Sequence, residues 1–159
     1  MSLRKPLVIV DGRIRQINAS DTLDAQVSEV DIVNQVNGNA GAVVIGQAVY
    51  TSAAGTFDLA QANALATVEV LGIIKEGIAS AASGPIQTDG VIKATIAQWD
   101  NVTGQVGGLT AGSVYYLDPD IAGNLTIVAP TIVEDFVARI GRAISTTELE
   151  ISVLQPIEL

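Results

Sequence analysis

The sequence predicts an all-β fold: a small β-barrel or β-sandwich of two related hairpin modules, with an N-terminal β-ribbon arm. Three observations carry this. Hydrophobic residues make up 48% of the 159 positions but aromatics only 4%. The core must therefore be built from Val, Ile, Leu and Ala, in short apolar runs broken by 15 glycines, which is the pattern of short strands joined by turns. Second, the stretch 107–130 (GGLTAGSVYYLDPDIAGNLTIVAP) reads as a tight turn, a strand over 113–117, a second turn over 118–124 and a returning strand over 125–128. Third, 46–60 (GQAVYTSAAGTFDLA) is a weaker copy of that hairpin. Gly46 and Tyr50 precede Gly112 and Tyr116 by 66 positions, Gly55 precedes Gly123 by 68, and Gly72 precedes Gly141 by 69. A drift of that size is what loop insertions between equivalent strands produce, so the chain reads as a duplication.

Taken in order, 7–10 and 13–17 flank Asp11-Gly12, a pair that tolerates the positive φ angles of a two-residue hairpin turn. Such a ribbon is marginal alone and must lean on something. Polar turn residues follow at 19–22, and residues 1–37 are assigned to an arm and linker, with the β-barrel domain at 38–159. Within the latter, 43–45 reads as a strand leading into the first hairpin copy. Residues 59–65 are Ala-rich and suit a short helical turn, and 67–71 returns to strand character. Asp89-Gly90 is a second hairpin-type turn between apolar residues. The stretch 94–102, with the sole tryptophan Trp99, is the best candidate for a short helix or a packed irregular loop. Residues 136–144 and the strictly alternating 148–154 read as strands, Pro156 stops the second, and 157–159 is a peripheral acidic tail.

Composition excludes much chemistry. There is no Cys and no His, which removes disulfides, thiolate nucleophiles, the usual zinc ligands and the commonest general base. The net charge of −9 argues against a nucleic-acid surface, which needs clustered Lys and Arg. That charge is unevenly placed. Arg4, Lys5, Arg13 and Arg15 are half of the eight basic residues, while 16–159 carries four basic against sixteen acidic residues, a net −12. A basic end on an acidic body suits docking to an acidic surface, although basic residues on an edge strand also simply keep it from aggregating. No stretch approaches the roughly 18 apolar residues of a membrane span. The opening residues lack a secretion-signal pattern, so the expectation is a soluble protein made in a cytoplasm.

The remaining carboxylates have ordinary structural readings. Asp118 and Asp120 flank Pro119 in a hairpin turn, where Asp and Pro are favoured for backbone geometry before any metal is invoked. Glu134, Asp135, Glu148 and Glu150 offer pairs of the kind glycoside chemistry uses, but acidic residues on the outer face of an alternating strand are the common case. The glycines at 104, 107, 108 and 112 precede no Lys-Ser/Thr pair and shape turns instead of a phosphate loop. Trp99 reads as a packing anchor. Tyr50, Tyr115 and Tyr116 lie in strands, where aromatics serve core or subunit packing. No catalytic residue, metal or cofactor is assigned.

The hairpin at 107–118, the segment 138–144 (ARIGRAI) and 148–151 (ELEI) together resemble the closing portion of tailed-bacteriophage capsid decoration (cement) and head-fibre proteins. In these, a Gly-then-Val-Tyr strand, a glycine turn, a Thr-rich return and an Ile-Gly-x-Ala strand recur. The opening residues 6–17 and 20–23 are similar to those of phage head-fibre and tail-fibre proteins. The resemblance is closest over the C-terminal third. It implies a non-enzymatic virion β-barrel, a homotrimer on the outer capsid surface that binds the major capsid protein and clamps the assembled shell. An N-terminal arm carrying Arg4, Lys5, Arg13 and Arg15 would meet the capsid, and Trp99, Tyr115 and Tyr116 would meet neighbouring subunits. The alternative it leaves open is a tail-fibre or baseplate adaptor.

Overall fold

The computed structural model describes residues 7–10, 13–16 and 32–159. At the start, β1 (Leu7–Val10) and β2 (Arg13–Gln16) pair antiparallel with Val10 opposite Arg13; the turn expected at Asp11-Gly12 lies outside the described residues. Arg4 and Lys5 lie outside the described residues.

Next come β3 (Ile32–Asn37), β4 (Ala48–Ala53), β5 (Thr56–Leu59), the short helix α1 (Leu65–Val68), β6 (Gly72–Ile74) and β7 (Ser83–Gln87). These five strands form a closed barrel in the order β3-β5-β4-β6-β7. The remaining elements are β8 (Gly90–Lys93), α2 (Ile96–Thr103), β9 (Val114–Leu117), β10 (Leu125–Thr126), β11 (Phe136–Val137), β12 (Arg139–Ala143), β13 (Glu148–Ile151) and β14 (Ile157–Glu158). Five of them form a second sheet in the order β10-β9-β12-β13-β8, and β11 pairs with β14 as a separate ribbon.

The duplication is present in the topology and in the register. Each module is a strand, a hairpin and two further strands, and β5-β4-β6-β7-β3 repeats as β10-β9-β12-β13-β8. In the first module Val49 lies opposite Gly72, and in the second Tyr115 lies opposite Gly141. Tyr50 and Asp58 face each other as Tyr116 and Thr126 do. The two glycines share one steric cause: a Cβ at Gly72 would meet the Gln87 carbonyl oxygen, and a Cβ at Gly141 would meet that of Glu150. Gly55 and Gly123 turn their hairpins at φ +73° and +79°, a region that costs a side chain roughly 1–2 kcal/mol.

The modules differ in how they close. In the first, β3 continues to Val36 and Asn37, which pair in parallel with Thr56 and Phe57 of β5. In the second, β8 ends at Lys93 because Thr95 caps α2. Its hydroxyl accepts the Gln98 N–H at 3.3 Å while Gln98 Oε1 accepts the Thr95 N–H at 2.8 Å, a reciprocal capping box. The helix stands where the closing strand would continue, and it drives Trp99 and Val102 into the core.

Two apolar clusters follow from strand alternation. Val49, Phe57, Ile74 and Ile86 fill the closed barrel with Val43 and Ile78. Their neighbours Ala48 and Ile73 point the other way, into a larger cluster with Trp99, Tyr115, Leu117, Leu125, Phe136, Ile140 and Leu149. The β4–β6 wall is therefore buried on both faces, and the modules share one core. Main-chain bonds stitch them together: Ala48 N–H donates to the Gly123 carbonyl (2.9 Å), Gly123 N–H to Ala60 (2.7 Å), and Phe136 N–H to Ala62 (2.8 Å).

Several boundaries differ from expectation. Ile32–Asn37 is a barrel strand paired along its length with β7, so the body starts by residue 32 and not at 38. Residues 43–45 make only an isolated bridge, Val43 to Ile78. Thr67 and Val68 belong to α1, where the Thr67 hydroxyl donates to the Gln61 carbonyl at 2.9 Å. Asp89-Gly90 is not a hairpin turn, since β7 pairs with β3 and β6 while β8 pairs with β13. It is the crossover between modules.

Candidate functional site

The residues singled out for chemistry are held in structural roles. Asp118 Oδ1 accepts the N–H groups of Asp120 (2.7 Å) and Ile121 (3.1 Å), which forms an Asx turn at the tip of the β9–β10 hairpin. Gln61 Nε2–H donates to the Pro119 carbonyl at 2.8 Å, tying that tip to the first module. Asp100 accepts the N–H groups of Gly107 and Gly108 at 3.3 and 2.6 Å and so shapes the loop after α2. Among the described residues, no three carboxylates gather closely enough to hold a metal ion.

Glu148 and Glu150 share the outer face of β13, where the inward Leu149 and Ile151 are buried. Glu148 lies 2.6 Å from the Lys93 ammonium on the neighbouring strand. Hydrogen bonding and then charge from Lys93 hold its carboxyl below the usual carboxylate range, with help from the Ser145 hydroxyl and against slight desolvation. Because the folded value is depressed, the stabilisation is present at neutral pH and is lost as pH falls through that folded value. Lys93→Ala is expected to raise the Glu148 titration midpoint toward the ordinary value of about 4.3 in a side-chain carboxyl NMR titration. An unmoved midpoint would disconnect the pair.

Trp99 and Tyr115 are fully buried, and both hold this chain's own core together. Trp99 Nε1–H donates to the Thr147 carbonyl at 3.0 Å. The Tyr115 hydroxyl accepts the Thr110 N–H at 2.8 Å and donates to Gln105 Oε1 at 2.5 Å, fastening the 104–110 loop to β9. Neither has surface left for a neighbouring subunit, so of the three aromatics read as subunit contacts only the half-buried Tyr116 has any to offer. Arg13 and Arg15 lie in β2; their side chains are outside the described residues.

What stands out on the surface is apolar and acidic. Val128, Ile132, Val133 and Ile157 are 68%, 67%, 75% and 65% exposed, with Ile127 and Leu159 also exposed. Backbone pairing gathers these side chains. Val137 lies opposite Ile157, the Glu134 N–H donates to the Leu159 carbonyl, and the Asp135 N–H donates to the Ile132 carbonyl. Val128 and Ile132 line a hollow of about 180 Å³ together with Asp118, Asp120 and Asp135. Glu134 sits in this group at φ +81°, an uncommon conformation for a residue with a side chain. A second, shallow cleft of about 480 Å³ lies between α2 at Ala97, Gln98 and Asn101 and the loops at Val44, Ile45 and Gly77.

Sequence reasoning missed this face because 125–128 reads as the return strand of the hairpin and 129–133 carries no reading of its own. Only Leu125–Thr126 pairs with β9, and the chain beyond leaves the sheet with its Ile and Val side chains outward. No protein-family model and no curated protein matches the chain.

Proposed function

We propose that this chain is a non-enzymatic structural protein of a tailed-bacteriophage particle, a capsid decoration or head-fibre protein that binds the outer surface of the assembled shell as a homotrimer. The observation that supports it most is the exposed Ile/Val face around β11 and β14, on a body where Asp100 and Asp118 shape loops and Glu148 pairs with Lys93. Exposed apolar side chains brought near one another in this way are the mark of a protein that works by contact. The duplicated β-module suits the role, since one shared core holds a rigid surface without reactive groups. The β1–β2 ribbon is a ready element for strand addition.

The mechanism is linkage. A protein that binds the assembled shell and not its separated subunits stabilises the shell by about 2.7 kcal/mol per site at a free concentration one hundred times Kd. Three copies acting together add avidity. The test is co-sedimentation of the purified chain with heads of its own phage prepared without it. Saturable binding with a raised temperature of head rupture is the expected result. A chain that stays in the supernatant at concentrations where it is oligomeric overturns the proposal.

A further inference from the structure

We propose that the apolar, acidic face around β11 and β14 receives the basic N-terminal ribbon of a second copy of this chain, linking copies arm to face. The inference deepens the homotrimer reading above by naming what joins the copies.

The face needs a partner of opposite charge. Asp118, Asp120, Glu134, Asp135 and Glu158 lie in the stretches that form it, and 118–137 and 155–159 contain no Lys or Arg. The basic residue nearest in sequence, Arg139, is only half-exposed on β12, and its Nε is enclosed. Two copies of this face meeting each other would bring like charges together, which costs several kcal/mol in a desolvated contact. A like-to-like interface is therefore disfavoured, and a basic, apolar segment fits.

This chain carries such a segment. Residues 1–15 hold Arg4, Lys5, Arg13 and Arg15, and within β1 and β2 apolar residues alternate with or adjoin the basic ones (LVIV and RIRQ). The remaining basic residues, Lys75, Lys93, Arg139 and Arg142, are scattered. Lys93 is already paired with Glu148, and Arg142 Nε–H donates to the Gly112 carbonyl. Among the described residues the β1–β2 ribbon pairs with no strand of its own body, and β11–β14 is likewise a two-stranded ribbon, bonded through Phe136 to Ala62 on the β11 side and with no strand paired beyond β14. Two-stranded ribbons are marginal alone and gain from joining a larger sheet.

Reach allows the exchange. The stretch 17–31 spans on the order of 50 Å when extended, against a radius of gyration of about 14 Å for a body of this length. Arm and face are different surfaces, so the contact is head-to-tail and closes into a ring when the rotation permits. In such a ring the arms hold neighbouring copies, and contact with the shell falls to the body.

The test is charge reversal read by light scattering on a sizing column, with Trp99 fluorescence confirming a folded body. Glu134 and Glu158 are exposed, and neither side chain makes a hydrogen bond among the described residues, so their replacement leaves the fold intact. The wild-type chain is expected to run as an oligomer at micromolar concentration. R13E/R15E and, separately, E134K/E158K are expected to weaken association at least tenfold, and the wild-type oligomer to loosen as salt is raised. The quadruple variant R13E/R15E/E134K/E158K is expected to associate more tightly than either double variant, because the charges at 13 and 15 again oppose those at 134 and 158 in every copy. A monomeric wild type, an R13E/R15E chain of unchanged mass, or a quadruple variant that stays dissociated overturns the proposal. If it fails while the wild type still binds shells, decoration stands without arm exchange. Arm-to-face oligomers that ignore shells leave the exchange and remove decoration.

Discussion

Gly141→Ala is expected to be among the most destabilising single-methyl additions in this protein. The Cβ it introduces falls on the carbonyl oxygen of Glu150, so main chain meets main chain across β12 and β13 and no side chain can swing aside. The site is already irregular, since the β9–β12 register shifts between Arg139 and Gly141, which indicates that the close approach is built into the sheet. Overpacking a core typically costs ~1–3 kcal/mol, and occasionally more. With backbone on both sides the upper end or beyond is expected, a large share of the roughly 5–15 kcal/mol that holds a domain folded. Gly72→Ala, which meets the Gln87 carbonyl in the other module, is expected to cost a similar amount. Gly41→Ala is the control: nothing lies within 4 Å of its Cβ position and its φ is not positive, so a change between neutral and a gain of ~0.4–1 kcal/mol is expected. Urea unfolding followed by tryptophan emission measures all three. Equal midpoints for Gly141→Ala and wild type would remove the close approach, and with it the steric parallel between Gly72 and Gly141 in the two modules.

Trp99→Ala is expected to cost ~3–5 kcal/mol, the range for deleting a large buried aromatic. The indole is fully enclosed, and it packs so closely under the first module that a Cβ on Gly46 would stand 3.1 Å from its Cζ3. Its loss opens a cavity at the junction of both modules. The lost hydrogen bond is the smaller part, because the Thr147 carbonyl still accepts the Ala94 N–H at 3.0 Å. Trp99→Phe, which keeps much of the ring volume, is therefore expected to retain well over half of the lost stability. Trp99 is the only tryptophan, so these variants are followed by circular dichroism. A Trp99→Ala chain within ~0.5 kcal/mol of wild type, the scale of an ordinary surface substitution, would show that the two modules do not depend on this anchor.

Much of the architecture was legible in the sequence because it rests on local rules. The pairing of β1 with β2, the helix after Thr95 and the hairpin around Gly123 each follow from neighbours in sequence. The duplication showed through the spacing of Gly46, Gly55 and Gly72 from their counterparts, because those positions answer to backbone geometry that both copies must satisfy. Asp89-Gly90 has the same local signature as a hairpin turn yet joins two modules. The pair specifies a bend and says nothing about which strands flank it in the sheet.

The sequence by itself determined the all-β class, the paired modules, the basic end on an acidic body, and the lack of the Cys and His that most small active sites use. Its regular spacing and its composition are read without knowing what touches what. Only the tertiary structure decided that β3 closes the first barrel while α2 stands in that place in the second, that Trp99 and Tyr115 are enclosed, and that the Ile and Val side chains at 127–133 face outward. The physical reason is that an apolar run carries no mark of direction. Whether Ile132 is core or surface depends on where β10 stops pairing with β9 and where β14 returns to meet β11, and those are contacts between residues far apart in the chain.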